Sequence, residues 1–169
     1  MKSFRSLALA LGLFGAASAA QAQDDSDALV SFSVMKPEIA VTLAQAALES
    51  CRGEGAQIAV AVVDRFGNLQ MMLRDRFAGP HPPETARRKA WTAVSFRADT
   101  LTLSETTKPG TEAYGANFIT EALMLGGGVP VEAHGSIIGA VGVSGAPSGE
   151  MDDGCARAGI DAVAADLAF

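Results

Sequence analysis

A chain of 169 residues, 49% hydrophobic and 19% charged, is long enough to bury one core without staples. Its formal charge of −6 offers no basic face for holding nucleic acid or an anionic membrane surface. With two histidines in different loops and no HExxH or other helical pair, a protein-built zinc site is not indicated either.

Residues 1–22 read as an export signal. Lys2 and Arg5 form a basic n-region, Leu7 to Ala20 an apolar h-region, and Ala20-Gln21-Ala22 an A-x-A cleavage site. The apolar run is short and rich in Ala and Gly, and Asp24, Asp25 and Asp27 follow it where a stop-transfer cluster would stand, which argues against a retained span. The expected address is the periplasm or the medium. Removing this segment leaves 147 residues with 11 basic and 19 acidic side chains, a formal charge of −8. Residues 23–34 read as a flexible lead and 35–169 as a single domain.

From Met35 or Lys36, with Pro37 in the first turn, apolar residues at Ile39, Ala40, Leu43, Ala44, Ala47 and Leu48 recur at threes and fours, which predicts a helix ending around Cys51 to Gly55. Ile58 to Val63 is a continuous apolar run ending at Asp64, the pattern of a strand buried on both faces. Gly67 and Asn68 supply a turn, and Leu69 to Arg74 is the return strand. Arg74 and Asp75 read as a solvated strand end.

The prolines between Ala78 and Pro83 make a rigid connector, after which Glu84 to Ala98 predicts a helix. Ala86, Ala90, Ala93 and Arg97 form a small-residue stripe suited to lying close on a sheet, and Thr85, Lys89, Thr92 and Phe96 line a neighbouring one. Asp99 to Phe118 is a long polar connector of the kind that carries lids, binding loops or short helical pieces. Val129 to Ala133 and Ser136 to Ser144 read as a second hairpin turning at His134-Gly135, with Gly139 and Gly142 leaving gaps that a helix, a ligand or another backbone can enter. A last helix begins near Glu150 to Asp153 and runs through Cys155 to Leu167. The expected architecture is an α+β layered domain, an antiparallel β-sheet flanked by helices.

Cys51 closes the first predicted helix and Cys155 opens the last. If the two helices pack antiparallel the sulfurs can meet, and two buried free thiols are the alternative. Gly142-Val143-Ser144-Gly145-Ala146 fails as a nucleophile elbow, because Ala146 holds the last glycine position and a loop follows. Gly126-Gly127-Gly128 lacks the Lys and Ser or Thr of a phosphate loop.

Four segments taken together, Val62 to Arg74, Arg88 to Phe96, Gly126 to Val131 and Gly135 to Gly145, followed by Asp152, Asp153, Cys155 and Ala156 to Gly159, resemble the GlcG/HbpS family of haem-binding proteins. The likeness implies a profilin-like layered fold, frequent homo-oligomers, haem as cofactor and, in exported members, haem or iron sensing beside a membrane sensor kinase. It places the family's KAxTA helix on Lys89 to Ala93 and makes Thr92 the first candidate for an iron ligand. Lys89 is then able to meet a propionate and Phe96 to cover a porphyrin face. The other reading of Thr92 is a hydroxyl bonded back to its own helical turn. Arg74 and Arg76 stand at the rim, where Arg74 to Ala78 departs from the family's arginine and Asp-Gly-Ala turn. His81, between prolines in a loop, can reach a ligand, and Pro82 and Pro83 replace a usual serine.

The function implied is an exported haem-binding protein that senses or sequesters haem, with no strong catalytic constellation. Its rivals are an oxidative enzyme acting on a small metabolite or on haem itself, and an oligomeric interaction module without a ligand.

Overall fold

The computed structural model describes residues 30–168. The predicted export signal and most of the flexible lead lie outside the described residues. Helix α1 spans Pro37–Gly53, strands β1 and β2 Ala59–Asp64 and Leu69–Arg74, helix α2 Pro82–Phe96, helix α3 Thr100–Thr106, strands β3 and β4 Gly128–Ala133 and Ser136–Ser144, and helix α4 Gly149–Leu167. The long connector after α2 is mostly short helix: α3, then a 3-10 turn at Glu112–Phe118 with no buried residue.

The four strands form one antiparallel sheet in the order β2-β1-β4-β3. Each hairpin turn follows from its residues. At the first, the Asp64 carboxylate accepts from the Phe66 and Asn68 amides at 2.8 and 2.9 Å, and Gly67 takes φ +83°. At the second, His134 and Gly135 both have positive φ, at 51° and 71°, as a two-residue turn between twisted strands demands.

β1 is buried on both faces, and its alternation divides two unlike layers. Val60 and Val62 join Val141, Val143, Val129 and Val131 under α1 and α4, where bulky side chains fill the space. Ala59 and Ala61 face the other way with Ala86, and Val63 with Ala90, Ala93 and Ala140, so α2 lies on a thin layer of small residues. The alanine stripe of α2 therefore does what its spacing predicts. The predicted gap at Gly142 is filled by the helix backbone: a Cβ there would stand 2.0 Å from the Ala86 carbonyl oxygen and 2.7 Å from the Ala90 nitrogen. Neither atom can yield without moving α2. Gly142→Ala is expected to cost about 3 kcal/mol in urea unfolding. Gly154→Ala, on an exposed turn of α4 with open space around it, is expected to add about 0.5–1 kcal/mol. Equal effects at the two positions would refute the close-approach account.

Two expectations resolve at the helix ends. α1 and α4 pack antiparallel, with Gly159 of α4 so close that a Cβ there would lie 2.7 Å from the Leu43 carbonyl oxygen, and Cys51 and Cys155 are joined as a disulfide. The bridged alternative holds, and no described cysteine is free. The strand end at Arg74 and Asp75 is only half as expected. Asp75 is 1% exposed and accepts from Arg52 of α1 through both carboxylate oxygens, at 2.6 and 2.8 Å. That bidentate pair, with a further bond from the Arg76 amide, lowers the Asp75 pKa to about 2. Arg52 is 23 residues away in sequence, so nothing local to the strand end announces that Asp75 is buried and paired.

Candidate functional site

A cleft of about 850 Å³ opens where β1 begins and β4 ends, between the first turns of α2 and α4. Its floor is Lys89 and Asp152. Its apolar walls are Phe77, Pro82, Leu123, Leu125 and Pro147, of which Phe77 is 79% and Leu125 47% exposed. His81, Thr85 and Arg88 stand along the α2 side, and Gln57, Ser144 and Ser148 supply polar groups on the other.

α2 can begin at the cleft because Pro82 and Pro83 occupy its first turn, where a missing N–H costs nothing. His81 precedes them, and its carbonyl accepts from the Thr85 amide and hydroxyl at 3.1 and 3.0 Å. The loop carrying His81 is braced from β2, since the Arg74 guanidinium donates to the Gly79 carbonyl at 3.2 Å and to that of Ala78. The opposite wall is strapped to α2. Arg88 donates to the carbonyls of Glu121 and Ala122 at 3.2 and 2.6 Å, and the Thr92 hydroxyl accepts from the Leu123 amide at 2.9 Å.

Lys89 is 1% exposed, and its Nζ donates to Asp152 Oδ2 at 2.7 Å and to the Val143 carbonyl at 2.9 Å. Asp152 uses its other oxygen to accept from the Ala146 amide at 3.0 Å. Burial pushes the Lys89 pKa down and the Asp152 pKa up, and each charge partly offsets the shift of the other. The pair ties α2 to α4 and to the end of β4.

Of the residues singled out from sequence, the structure brings His81 and Lys89 together in the cleft. It does not bring Thr92, Phe96, Arg74 or Arg76 to its lining. Thr92 is fully buried, and its hydroxyl donates to the Arg88 carbonyl at 2.7 Å, the back-bonded alternative, while also accepting from Leu123. Phe96 is the last residue of α2, two turns beyond Lys89. Arg76 is exposed outside the lining, and His134 sits at the far end of β4. Sequence reasoning missed Arg88, Gln57, Ser144 and the partnership of Asp152 with Lys89. Asp152 had a visible signal, an acid at a helix start, but its partner lies 63 residues away.

Fold and cleft together define a class: a small α+β domain whose single antiparallel sheet carries a ligand-sized cleft at one end, apolar in its walls and ionic at its floor. The chain belongs to the family described as haem degrading protein HbpS-like, whose model matches residues 35–161 and so includes all four segments of the resemblance. The crystal structure of a double mutant of HbpS from Streptomyces reticuli is similar over 92% of this chain and 97% of that one, with TM-score 0.76 and 36% identity. The crystal structure of a PduOC:heme complex is similar over 77% of this chain and 95% of that one, with TM-score 0.73 and 30% identity. Protein GlcG of Escherichia coli is 33% identical over 113 residues, 66% of this chain and 81% of GlcG. The match spans less than two thirds of two other curated relatives. It covers 63% of a 15.0 kDa protein of Citrobacter freundii, at 36% identity over 52% of this chain. It covers 36% of the corrinoid adenosyltransferase PduO of Salmonella typhimurium, at 32% identity over 72% of this chain.

Proposed function

We propose that this chain binds haem in the cleft above Lys89 and acts outside the cytoplasm to sequester or sense it. The observation that carries the proposal is an imidazole, His81, on a cleft with apolar walls, in a family with a solved haem complex among its relatives. The residues present fit the group. The volume lies within the range of small-molecule sites, Phe77 and Leu125 offer apolar cover, and Arg88 brings a cation to the lining for a propionate. Bound haem supplies a redox-active iron, for which histidine is an ordinary axial ligand. In this reading Thr92 holds the Leu123 wall and His81 takes the place at the iron, because Thr92 is 0% exposed and outside the cleft lining, whereas His81 stands on it.

The basic, apolar and A-x-A pattern of residues 1–22 and a buried disulfide support the periplasm or the medium as the address. Assembly into a homo-oligomer and a membrane sensor kinase as partner complete the proposal. Assembly is supported by the family resemblance, which implies frequent homo-oligomers.

Haemin titrated into residues 23–169 and followed by absorption is expected to give a saturable Soret shift. His81→Ala is expected to move the band and weaken binding by about tenfold or more, while Thr92→Ala leaves the band position unchanged. A spectrum indifferent to His81 moves the axial ligand to Thr92 or His134. No saturable shift at all removes haem from the proposal.

A further inference from the structure

The loop from β2 to α2 carries both Phe77 and His81, and two side chains outside the cleft lining hold its start. At Asp75 every polar group is engaged. Its amide donates to the Ile58 carbonyl at 2.8 Å, its carbonyl accepts from the Ala78 amide at 3.1 Å, and its two carboxylate oxygens accept from Arg52 and from the Arg76 amide. The turn from Asp75 to Ala78 is thereby fixed, with Phe77 inside it. Phe77 is 79% exposed, so it is the turn, and not packing against the described residues, that keeps its ring on the cleft wall. Beyond it the Arg74 guanidinium holds the carbonyls of Ala78 and Gly79, and Pro80, Pro82 and Pro83 have φ fixed on either side of His81. Arg52 is a firm anchor for this loop, because it follows Cys51, whose disulfide ties the end of α1 to α4.

We infer that Arg52 and Asp75 are positioning residues for the cleft: their bidentate pair sets the turn from Asp75 to Ala78, and through it the places of Phe77 and His81, before a ligand arrives. For the identity of that ligand the inference rests on the proposed function. Stability alone does not ask for such a pair. A buried ion pair is often no more stabilising than apolar side chains of the same volume, whereas a planar guanidinium gripping both oxygens of a carboxylate fixes direction as well as distance. A loop already held in its bound shape loses no affinity to ordering when the ligand comes. Neither residue touches the cleft, so each acts through the loop.

The test measures amide hydrogen exchange in the haem-free chain and then titrates haemin, for the unaltered chain, Arg52→Lys and Asp75→Asn. Arg52→Lys keeps the charge and loses the two-pronged grip. Exchange at Val141, in β4, is the folding control. Exchange at Ala78 is expected to quicken about tenfold in both variants while Val141 keeps its rate. Haemin affinity is expected to fall about tenfold, with the band moved toward that of His81→Ala and returned by added imidazole. Imidazole fills a vacated place at the iron but does not restore lost stability, so the recovery separates a displaced His81 from a weakened fold. Should Asp75→Asn quicken Val141 as well, Arg52→Lys decides. Unchanged exchange at Ala78, or a haemin band that stays in place, overturns the positioning role and leaves haem binding standing. No saturable shift in the unaltered chain overturns the haem reading; quicker exchange at Ala78 then still supports a preset loop, and unchanged exchange overturns both.

Discussion

Loss of the Cys51–Cys155 bridge, in a Cys51→Ala, Cys155→Ala double variant, is expected to lower the unfolding free energy by about 4 kcal/mol and the melting temperature by roughly 10 °C. The magnitude follows from the 104 residues that separate the two cysteines, because a cross-link over so long a segment removes much of the freedom of the unfolded chain. Compared with a total stability of about 5–15 kcal/mol for a domain, this is a large share. Alanine replacement is the cleaner route than added thiol, since Cys51 and Cys155 are 0% and 1% exposed and a reductant reaches them only after opening. Urea unfolding of the two forms checks it. A loss below about 1 kcal/mol would mean that α1 and α4, already held by the close approach at Gly159, need no covalent help.

Asp152→Ala is expected to cost about 3–5 kcal/mol at pH 7, because it strands the Lys89 ammonium in a site that is 1% exposed. The same change should leave a pH signature. Burial already lowers the Lys89 pKa, and Asp152 is the largest influence raising it again, so its removal drives the pKa of the folded state further down. The unfolded chain then binds the proton more readily than the folded one, and the variant gains stability as pH rises through that window toward the ordinary lysine value. Lys89→Met with Asp152→Leu is expected to recover most of the loss, since an apolar pair of similar volume leaves no buried charge. Chemical unfolding at pH 7 and at a pH near 9 separates the three proteins. A double variant less stable than the single one would show that the ion pair itself, and not the stranded charge, holds the floor together.

What the sequence made legible was local and periodic. The two-faced burial of β1 shows in an unbroken apolar run, both hairpins show in Gly67 and in His134-Gly135, and the close seat of α2 shows in Ala86, Ala90 and Ala93. Long-range pairing was not legible. Asp75 looks like a solvated strand end until Arg52 is folded against it, and Lys89 looks like a free cation until Asp152 arrives across 63 residues. Thr92 illustrates the same limit from the other side. Its place on the helix was readable, but whether its hydroxyl faces a ligand or the chain depends on Leu123, delivered by a connector whose path no periodicity encodes. Gln57 and Ser144 are ordinary residues in the sequence, and only the meeting of two strand ends brings both to the cleft.

The second end of the sheet has a different use. Ser33 to Lys36, before α1, and Asp166 and Leu167, at the close of α4, line one hollow together with His134 and Ile138. That hollow lies at the start of β4, whereas the cleft lies at its end; Ile138 and Ser144 are six residues apart along an extended strand, about 20 Å. The described residues nearest both ends of the domain thus share one pole of the sheet, and the cleft lies at the other. A label attached near Ser33 or near Leu167 therefore stands about one strand length from the cleft and leaves its lining uncovered.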